Sequence, residues 1–330
     1  MSRFIQIILC TTIIFSGCTS IKDFGSSLKY TVQGEYYLQG KNYEKGRETF
    51  LQSVRNDPYN PEAHFFYGRF LLAENNAKEA LPALRKAVDL YPQKSEYHFW
   101  LGVTYGELGQ SKKEQNSYKE ALQLDKNNLS ALIYLGNNLL RTKQYTKALV
   151  YYEKALAIWQ YSPQPLYNRA VILRKLNRTP EEKLAWLHYL DAYPSGSFAQ
   201  TAADRLNSLG DQSYRNHKLG ARTITLEQIK FVPFSSQLEK SSLPSLDIIG
   251  ASVSNMPKGI LNIVTYQLNN LKLAKKRSLS IRNYLGKKYP DLMAQHRIKA
   301  SWFDVAERQS ILGKTLLLDE SVRFFLTKPK

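Results

Sequence analysis

Histidine and cysteine are two residue types that can act as acid–base groups, nucleophiles or metal ligands. They are few and widely spaced in the 330 residues: His64, His98, His188, His217, His296, Cys10 and Cys18. A zinc protease carries two histidines one helical turn apart, and an α/β-hydrolase carries its serine between glycines, because each chemistry fixes a spacing. Neither pattern occurs, and there is no glycine-rich phosphate loop. The sequence therefore predicts no catalytic residue, no metal site and no cofactor, and we expect that the protein is not an enzyme.

Cys18 is the residue for which the flanking sequence predicts a modification. Arg3 precedes an apolar stretch from Phe4 to Phe15 that is too short to span a bilayer. A basic start, a short apolar core and small residues before a cleavage point are typical of a secretory signal, so residues 1–17 are predicted to be removed. Removal discards Cys10 and leaves Cys18 unpaired in an oxidising compartment, which acylation would explain.

The run Phe15-Ser16-Gly17-Cys18 resembles the lipobox of bacterial lipoproteins. The resemblance implies cleavage before Cys18, which becomes the acylated first residue. Thr19 stands where an aspartate would favour the inner membrane, so the resemblance implies an outer-membrane anchor with the chain facing the periplasm. Residues 18–27 would form a short tether that reaches about 30 Å when fully stretched. A plain signal peptide with an incidental cysteine is the alternative.

The elements that follow repeat every 34 residues, in registers that begin at Ser27, Pro61, Ser95, Leu129 and Pro163. Each register reads as a helix, a tight turn and a second helix. Position 8 is small, position 24 is large, and position 27 is most often alanine: Gly34, Gly68, Gly102, Gly136 and Ala170; Phe50, Leu84, Tyr118, Tyr152 and Trp186; Ala87, Ala121 and Ala155. The small residue of the first helix marks the crossing point with the second helix. Such units are stable only when neighbours stack.

These columns resemble the tetratricopeptide repeat family, with glutamates at Glu114 and Glu182 where a small residue is usual. The resemblance implies an α-helical superhelix of about five repeats over residues 28–210. Phe198 to Gly210 is predicted to be a helix that caps the array. A run of unrelated amphipathic helices is the alternative.

In this architecture positions 2, 5, 9 and 12 or 13 of each first helix face the inside of the curve. In this chain they include Phe65, Arg69, Phe99, Asn137, Arg141, Tyr167 and Arg174. Aromatic rings beside amides and guanidinium groups suit an extended peptide or a helix of a partner protein. We therefore predict a partner-binding groove at these residues. The alternative is that they only keep the groove soluble.

After Gly210 the columns end and a mixed pattern begins. Residues 211–221 are polar and are predicted to be a linker. Strands are predicted at residues 222–234, 260–266, 298–306 and 314–318, and a helix at 269–288. This order predicts a small α+β domain over residues 222–330.

Part of this domain resembles the OmpA-like, peptidoglycan-associated domain. The residues that carry the resemblance are Phe234-Ser235-Ser236, Leu238, Asn270, Leu273, Ala274, Arg277, Ser278, Ile281, Tyr284 and Leu285. In that family a helix arginine and an aspartate after the preceding strand hold the diaminopimelate of the cell wall. Arg277 occupies the arginine position, whereas the aspartate position falls at or near Tyr266. A lone cation can bind a carboxylate but not the ammonium of a zwitterion. A domain kept for packing or protein contact is the alternative.

The formal charge of +18 is unevenly distributed. Residues 1–214 hold 26 lysines and arginines against 20 acidic residues, and residues 215–330 hold 20 against 8. A basic domain is first a candidate for nucleic-acid binding, but a secreted, lipid-anchored chain does not meet nucleic acid, so we exclude it as a partner. Anionic head groups, cell-wall polymers or an acidic protein are the expected partners, and solubility alone is the alternative.

Together these patterns predict a lipid-anchored protein-interaction scaffold. Its architecture resembles the pilotins of type IV pili and the related Tad pilus protein. That resemblance implies a role in assembling a pilus or secretion machinery, with a secretin or pilus component as partner. The alternative is a peptidoglycan-associated envelope protein that binds the wall through its C-terminal domain.

Overall fold

A computed structural model describes residues 28–328 of the chain. The predicted signal peptide, Cys18 and the tether to Ser27 lie outside the described residues. The chain divides into two compact units, Met1–Gln160 and Tyr161–Lys330. The division falls between the fourth and fifth predicted repeats and not at the predicted linker.

The described part of the first unit is a succession of eight helices. They are α1 (28–39), α2 (Tyr43–Asn56), α3 (Pro61–Ala73), α4 (Ala77–Leu90), α5 (Ser95–Glu107), α6 (Ser111–Leu124), α7 (Leu129–Arg141) and α8 (Tyr145–Ile158). From the second repeat onward, the first helix of each pair begins at the first residue of the predicted register. The predicted helix-pair repeats are therefore confirmed.

The second, third and fourth of these helix pairs cross where position 8 is a glycine. A Cβ atom on Gly102 would lie 2.5 Å from Cε1 of Tyr118, and one on Gly136 would lie 2.8 Å from Cε1 of Tyr152. Both tyrosines are buried, as are the alanines at position 27. The glycine lets the ring of the second helix approach the backbone of the first. The spacing of the pair is thus set by one missing side chain.

The turn inside each repeat is made at position 15, where the backbone has a positive φ. These residues are Lys41 (53°), Asn75 (62°), Gly109 (69°), Lys143 (59°) and Asn177 (56°). Asn75 N donates to Leu72 O at 2.9 Å, and Asn76 N donates to Leu71 O at 2.8 Å. This pair of bonds closes the first helix in a Schellman motif. The recurring left-handed residue explains why the first helices all end at the same column.

The second unit begins with α9 (Pro163–Lys175), α10 (Thr179–Ala192) and α11 (Ser197–Ser208). The last of these is the predicted capping helix. Its apolar side is fully buried, at Ala199, Ala202, Ala203 and Leu206. Gly210 follows at φ 84°, as expected for a helix stop.

The rest of the second unit combines small sheets with three helices. Its elements are β1 (Tyr214–Leu219), β2 (Arg222–Glu227), α12 (Leu243–Ser254), β3 (Ile260–Gln267), α13 (Leu271–Lys288), α14 (Pro290–Ala294), β4 (Ile298–Phe303), β5 (Glu307–Ile311), β6 (Lys314–Leu318) and β7 (Glu320–Thr327). Strand β3 is central, with β4 parallel on one side and β7 antiparallel on the other; Ile263 faces Ala300 and Phe324. Its buried side chains share one core with Ile281 and Leu285 of α13. The β1–β2 and β5–β6 pairs are separate hairpins.

The predicted linker at residues 211–221 is wrong, because Tyr214–Leu219 form strand β1 and pair with β2. Arg215 and His217 point into the unit and are buried, so a polar composition here does not mean solvent exposure. The strand predicted over residues 222–234 ends at Glu227. Pro233 cannot donate to a ladder, and Phe234 has a φ of 57°. Elements α12, α14, β5 and β7 were not predicted.

The capping helix packs directly against this part of the second unit. Asn207 Nδ2 donates to Tyr214 O at 2.7 Å, and Gln200 Nε2 donates to Thr223 O at 3.1 Å. Lys314 Nζ donates to Ser208 O at 3.1 Å. Helix α11 therefore joins the last repeat to the strands within one compact unit. Within residues 28–328, no helix combines the length and apolar character needed to cross a membrane.

Candidate functional site

Arg69 lies at the centre of the predicted groove in the first unit. Its guanidinium lies 3.8 Å from the ring centroid of Trp100. Its Nη1 atom is 3.6 Å from a carboxylate oxygen of Glu35 and 3.6 Å from one of Glu96. Burial lowers the pKa of Arg69, and the two carboxylates oppose that shift. The cation is thus held between three successive first helices.

A cavity of about 360 Å³ adjoins Arg69. It is lined by residues of repeats one to three, mostly apolar: Leu38, Tyr43, Leu72, Ala73, Asn75, Ala77, Trp100, Val103 and Glu107. Sequence reasoning missed Trp100, Glu35 and Glu96. The two glutamates occupy positions 9 and 2 of their repeats, which are groove positions, so the column pattern could have found them. Trp100 is at position 6, which the pattern does not single out.

Phe65 and Phe99 were expected to face a partner, but the structure buries both. Phe65 is 2% exposed, and its ring centroid lies 4.7 Å from that of Tyr97 in the next repeat. Phe99 is 7% exposed and lies 5.2 Å from Tyr134. Position 5 faces the neighbouring first helix, so a large ring there is covered by repeat stacking. These two residues support the wall of the groove and are not part of its open surface.

Asn137 and Arg141 are more accessible, but both contact neighbouring side chains. Tyr152 Oη donates to Asn137 Oδ1. Arg141 is 54% exposed and forms an ion pair with Glu114, which is 5% exposed. The fourth repeat therefore presents one amide and one cation whose positions are fixed by the second helices.

Tyr167 and Arg174 belong to the second unit. The Tyr167 ring is half-buried and lies 4.8 Å from the ring of Phe198 and 5.2 Å from that of Trp186. Arg174 is exposed in the last turn of α9. Tyr167 is thus part of an aromatic cluster with the capping helix, whereas Arg174 is open to solvent.

The two glutamates that depart from the repeat pattern are buried and paired with arginines of the following helix. Glu114 pairs with Arg141 of α7. Glu182 is 1% exposed; it accepts from Arg205 Nε of α11 at 2.6 Å and from Trp186 Nε1 at 3.1 Å. The two glutamates therefore make polar contacts with the next helix, in one case of the following repeat and in the other of the capping helix.

Arg277, the predicted cell-wall contact, is fully engaged within the second unit. Its side chain is 2% exposed, and its guanidinium lies 4.7 Å from the ring centroid of Phe231. It donates to Ser235 O at 2.9 Å and to Gln267 Oε1, and it pairs with Glu320 at 2.6 Å. The guanidinium that would bind a carboxylate of the cell wall is therefore already paired with the carboxylate of Glu320.

Three histidines contact backbone atoms. His64 Nε2 lies 2.9 Å from Pro58 O, and His98 Nε2 lies 2.8 Å from Pro92 O, so the two repeat-related histidines make the same bond. His217 accepts from Phe324 N at 3.3 Å. In residues 28–328, no group of three or more His, Cys, Asp or Glu side chains is placed to hold a metal ion.

Comparisons with known proteins agree with the repeat geometry. Family models described as tetratricopeptide repeat match residues 31–95, 95–128 and 130–158. The solved structure of Pseudomonas aeruginosa PilF superposes with a TM-score of 0.53 at 20% identity, over 58% of this chain and 86% of that one. At this identity the likeness shows the fold alone.

Two curated relatives are similar to this chain at about the same level. Anaphase-promoting complex subunit 6 of Arabidopsis thaliana is 26% identical over 141 residues, which cover 42% of this chain and 26% of that protein. The formate-dependent nitrite reductase complex subunit NrfG of Escherichia coli O157:H7 is 25% identical over 144 residues, 43% of this chain and 71% of that protein. The chain thus spans only about a quarter of the first of these relatives. These matches and the helix pairs together show that this chain carries a tetratricopeptide repeat array, a fold that binds proteins and peptides.

Proposed function

We propose that this chain is an outer-membrane lipoprotein that holds a protein of an envelope assembly, such as a secretin or pilus component, in its repeat groove. Stacked helix pairs build an extended curved surface, which supports the interaction part of the proposal. Two of the similar proteins are subunits of complexes by name. The run Phe15-Ser16-Gly17-Cys18 supports the anchor and the periplasmic side.

The cavity beside Arg69 is the observation that carries the proposal. It brings an apolar wall, including Leu72 and Val103, together with the ring of Trp100. Glu107 and Arg69 are the charged residues of its lining, and Glu35 and Glu96, which lie beside Arg69, remain 42% and 47% exposed. An apolar pocket with a polar rim is the usual anchor site for a side chain of a partner protein. Arg69 is occupied by its neighbours, so we expect it to shape the pocket and not to bind the partner directly.

Site-specific photo-crosslinking in the native cells tests this function. A photoreactive residue in place of Val103, inside the cavity, is expected to capture one envelope protein. The same residue in place of Tyr59, which is 77% exposed outside the cavity, is the matched control and is expected to capture none. Trp100→Ala should lower the yield from position 103 at least about fivefold, because it removes an aromatic anchor.

Equal capture from both positions, or capture that Trp100→Ala does not change, would show that this cavity is not the binding site. A crosslinked product that contains a cytoplasmic protein would contradict the envelope location but would still support the groove as a binding site. The interaction and its location are thereby tested separately.

A further inference from the structure

A second groove lies between α6 and α8, outside the predicted partner site. Two adjoining cavities, of about 860 and 310 Å³, share Lys119, Tyr151 and Lys154 as lining residues, so they form one continuous depression. Leu132 of α7 contributes to its lining. None of its lining residues belongs to the cavity beside Arg69.

The groove combines exposed apolar side chains with four lysines. On α8, one helix face presents Lys147, Val150, Tyr151, Lys154 and Ile158, at spacings of three and four residues. Val150 is 46% exposed and Ile158 is 45% exposed. On α6 and the turn after it, Lys119 and Lys126 border the opposite side. An apolar stripe bordered by cations is left open on this surface.

The four ammonium groups have no acidic partner in the described part of the chain. No salt bridge joins Lys119, Lys126, Lys147 or Lys154 to a carboxylate. Lys147 donates to Gln144, and Lys154 lies 5.4 Å from the ring centroid of Tyr151. Glu120 and Glu153 lie on the same helices but do not line the groove. The four lysines therefore leave positive charge along the groove that can attract a negatively charged ligand.

We infer that this groove binds an acidic amphipathic helix of a partner protein, distinct from the partner of the cavity beside Arg69. The α8 face from Lys147 to Ile158 extends roughly 16 Å, which matches about three helical turns of a ligand. Apolar side chains of the ligand pack on Val150, Tyr151 and Ile158, and its carboxylates meet the lysines on both sides. A concave site between two helices suits the protruding side chains of a helix. With two separate surfaces, the array bridges two proteins.

Fluorescence anisotropy with the full chain tests this inference. The probe is a labelled helical peptide of about 14 residues, roughly 21 Å long, with leucines along one face and glutamates on the flanks. Lys119→Glu/Lys154→Glu is expected to weaken its binding about tenfold or more, because two attractive contacts become repulsive. Lys78→Glu/Lys112→Glu, at exposed lysines outside the groove, changes the net charge equally and is expected to change binding less than about twofold.

Further measurements test the apolar contact, the order of residues in the peptide, the folding of the array and binding to a lipid surface. Ile158→Ala, which leaves the charge unchanged, should also weaken binding, and a scrambled peptide of the same composition should bind poorly. Circular dichroism of the milder Lys119→Gln/Lys154→Gln variant checks that the array stays folded. Equal weakening by both charge-reversal pairs, or equal binding of the scrambled peptide, would reduce the site to nonspecific attraction and overturn the inference. So would flotation with phosphatidylglycerol vesicles that depends on Lys119 and Lys154 while the peptide does not bind.

Discussion

Glu182 is the clearest case in this molecule of a single side chain on which a junction between helices depends. It is 1% exposed, and Arg205 of the next helix donates two hydrogen bonds to its carboxylate. The hydrogen bond from Arg205 to Glu182 is the main reason that the pKa of Arg205 is raised. A buried charge loses this stabilisation entirely when its partner is removed.

We predict that Glu182→Gln lowers the free energy of unfolding by about 3 kcal/mol, because Arg205 is left without its counter-ion. Glu181→Gln is the matched control: the adjacent Glu181 is 50% exposed in its pair with Arg178, and a surface pair contributes less than about 1 kcal/mol. Urea unfolding followed by tryptophan fluorescence measures both variants. Equal losses of unfolding free energy in the two variants would show that the buried Glu182–Arg205 pair stabilises the protein no more than the exposed Glu181–Arg178 pair.

His217 gives the second unit a defined response to acid. Burial lowers the pKa of His217 to about 3, and the positive charges of Arg215 and Arg323 add to the shift. In the unfolded chain this histidine therefore binds a proton near pH 6.5, whereas in the folded chain it stays neutral until the pH is close to 3. The stability that depends on neutral His217 is complete above pH 6.5 and is lost as the pH falls from 6.5 towards 3.

We expect that stability falls about 2 kcal/mol more between pH 7 and pH 5 in the native chain than in His217→Gln, which cannot take up this proton. The comparison uses the slopes and not the absolute stabilities, since the variant also changes the acceptor for Phe324 N. A His217→Gln slope equal to the native slope would assign the acid response to other groups.

At the scale of the elements, the helix pairs depend on close contact between glycine and ring. Gly102→Ala places a Cβ atom 2.5 Å from Tyr118, a ring that is 1% exposed and has no space to move away. We predict a loss of about 2 kcal/mol from overpacking, which exceeds the gain of up to about 1 kcal/mol in helix propensity. Glu107→Ala at an exposed position on the same helix is the control and should stay within about 0.5 kcal/mol. Thermal unfolding measures both, and a stabilised Gly102→Ala variant would contradict the packing account.

The helices could be predicted because their pattern is periodic, and the strands only in part. The residues at positions 8 and 24 identified the helix pairs. Strand β6 was predicted with its observed bounds, because Lys314–Leu318 is a short run of residues with high β propensity. Strand β1 could not be recognised, since its inward side chains include Arg215 and its partner Glu307 is 92 residues away. The left-handed residue at position 15 was also missed, because lysine at Lys41 and Lys143 gives no turn signal.

The sequence pattern named Arg69 but not the side chains around it. Arg69 lies beside a cavity lined by three repeats, and its partners Glu35 and Glu96 follow from the same columns. The burial of Phe65 and Phe99 could not be read from one repeat, because the covering rings come from the next repeat. A column pattern identifies which face of a helix is turned inward, whereas the neighbouring unit decides how much of that face remains open.

At the scale of the whole molecule, the proposed location depends on residues before the first described helix. We predict that Cys18→Ser moves the protein from the membrane fraction to the soluble periplasmic fraction, since no acyl chain can then form on that residue. Fractionation and mass spectrometry of the N-terminal peptide measure this, with Cys10→Ser as the control that should leave the anchor in place. A Cys18→Ser protein that stays with the membrane would favour the alternative of an incidental cysteine.

The paired charges between repeats restrict how this array can evolve. Glu114 meets Arg141 across one junction, and Glu182 meets Arg205 across another, whereas the equivalent positions in other repeats hold Gly46, Ala80 and Ala148. Insertion of a copy of residues 61–94 after residue 128 would set Glu114, which is 5% exposed, against the copy of Ala73 instead of Arg141. The insertion would leave a buried carboxylate without its counter-ion. Recombination that can lengthen a uniform solenoid is therefore penalised at this junction, and the order of the repeats is constrained.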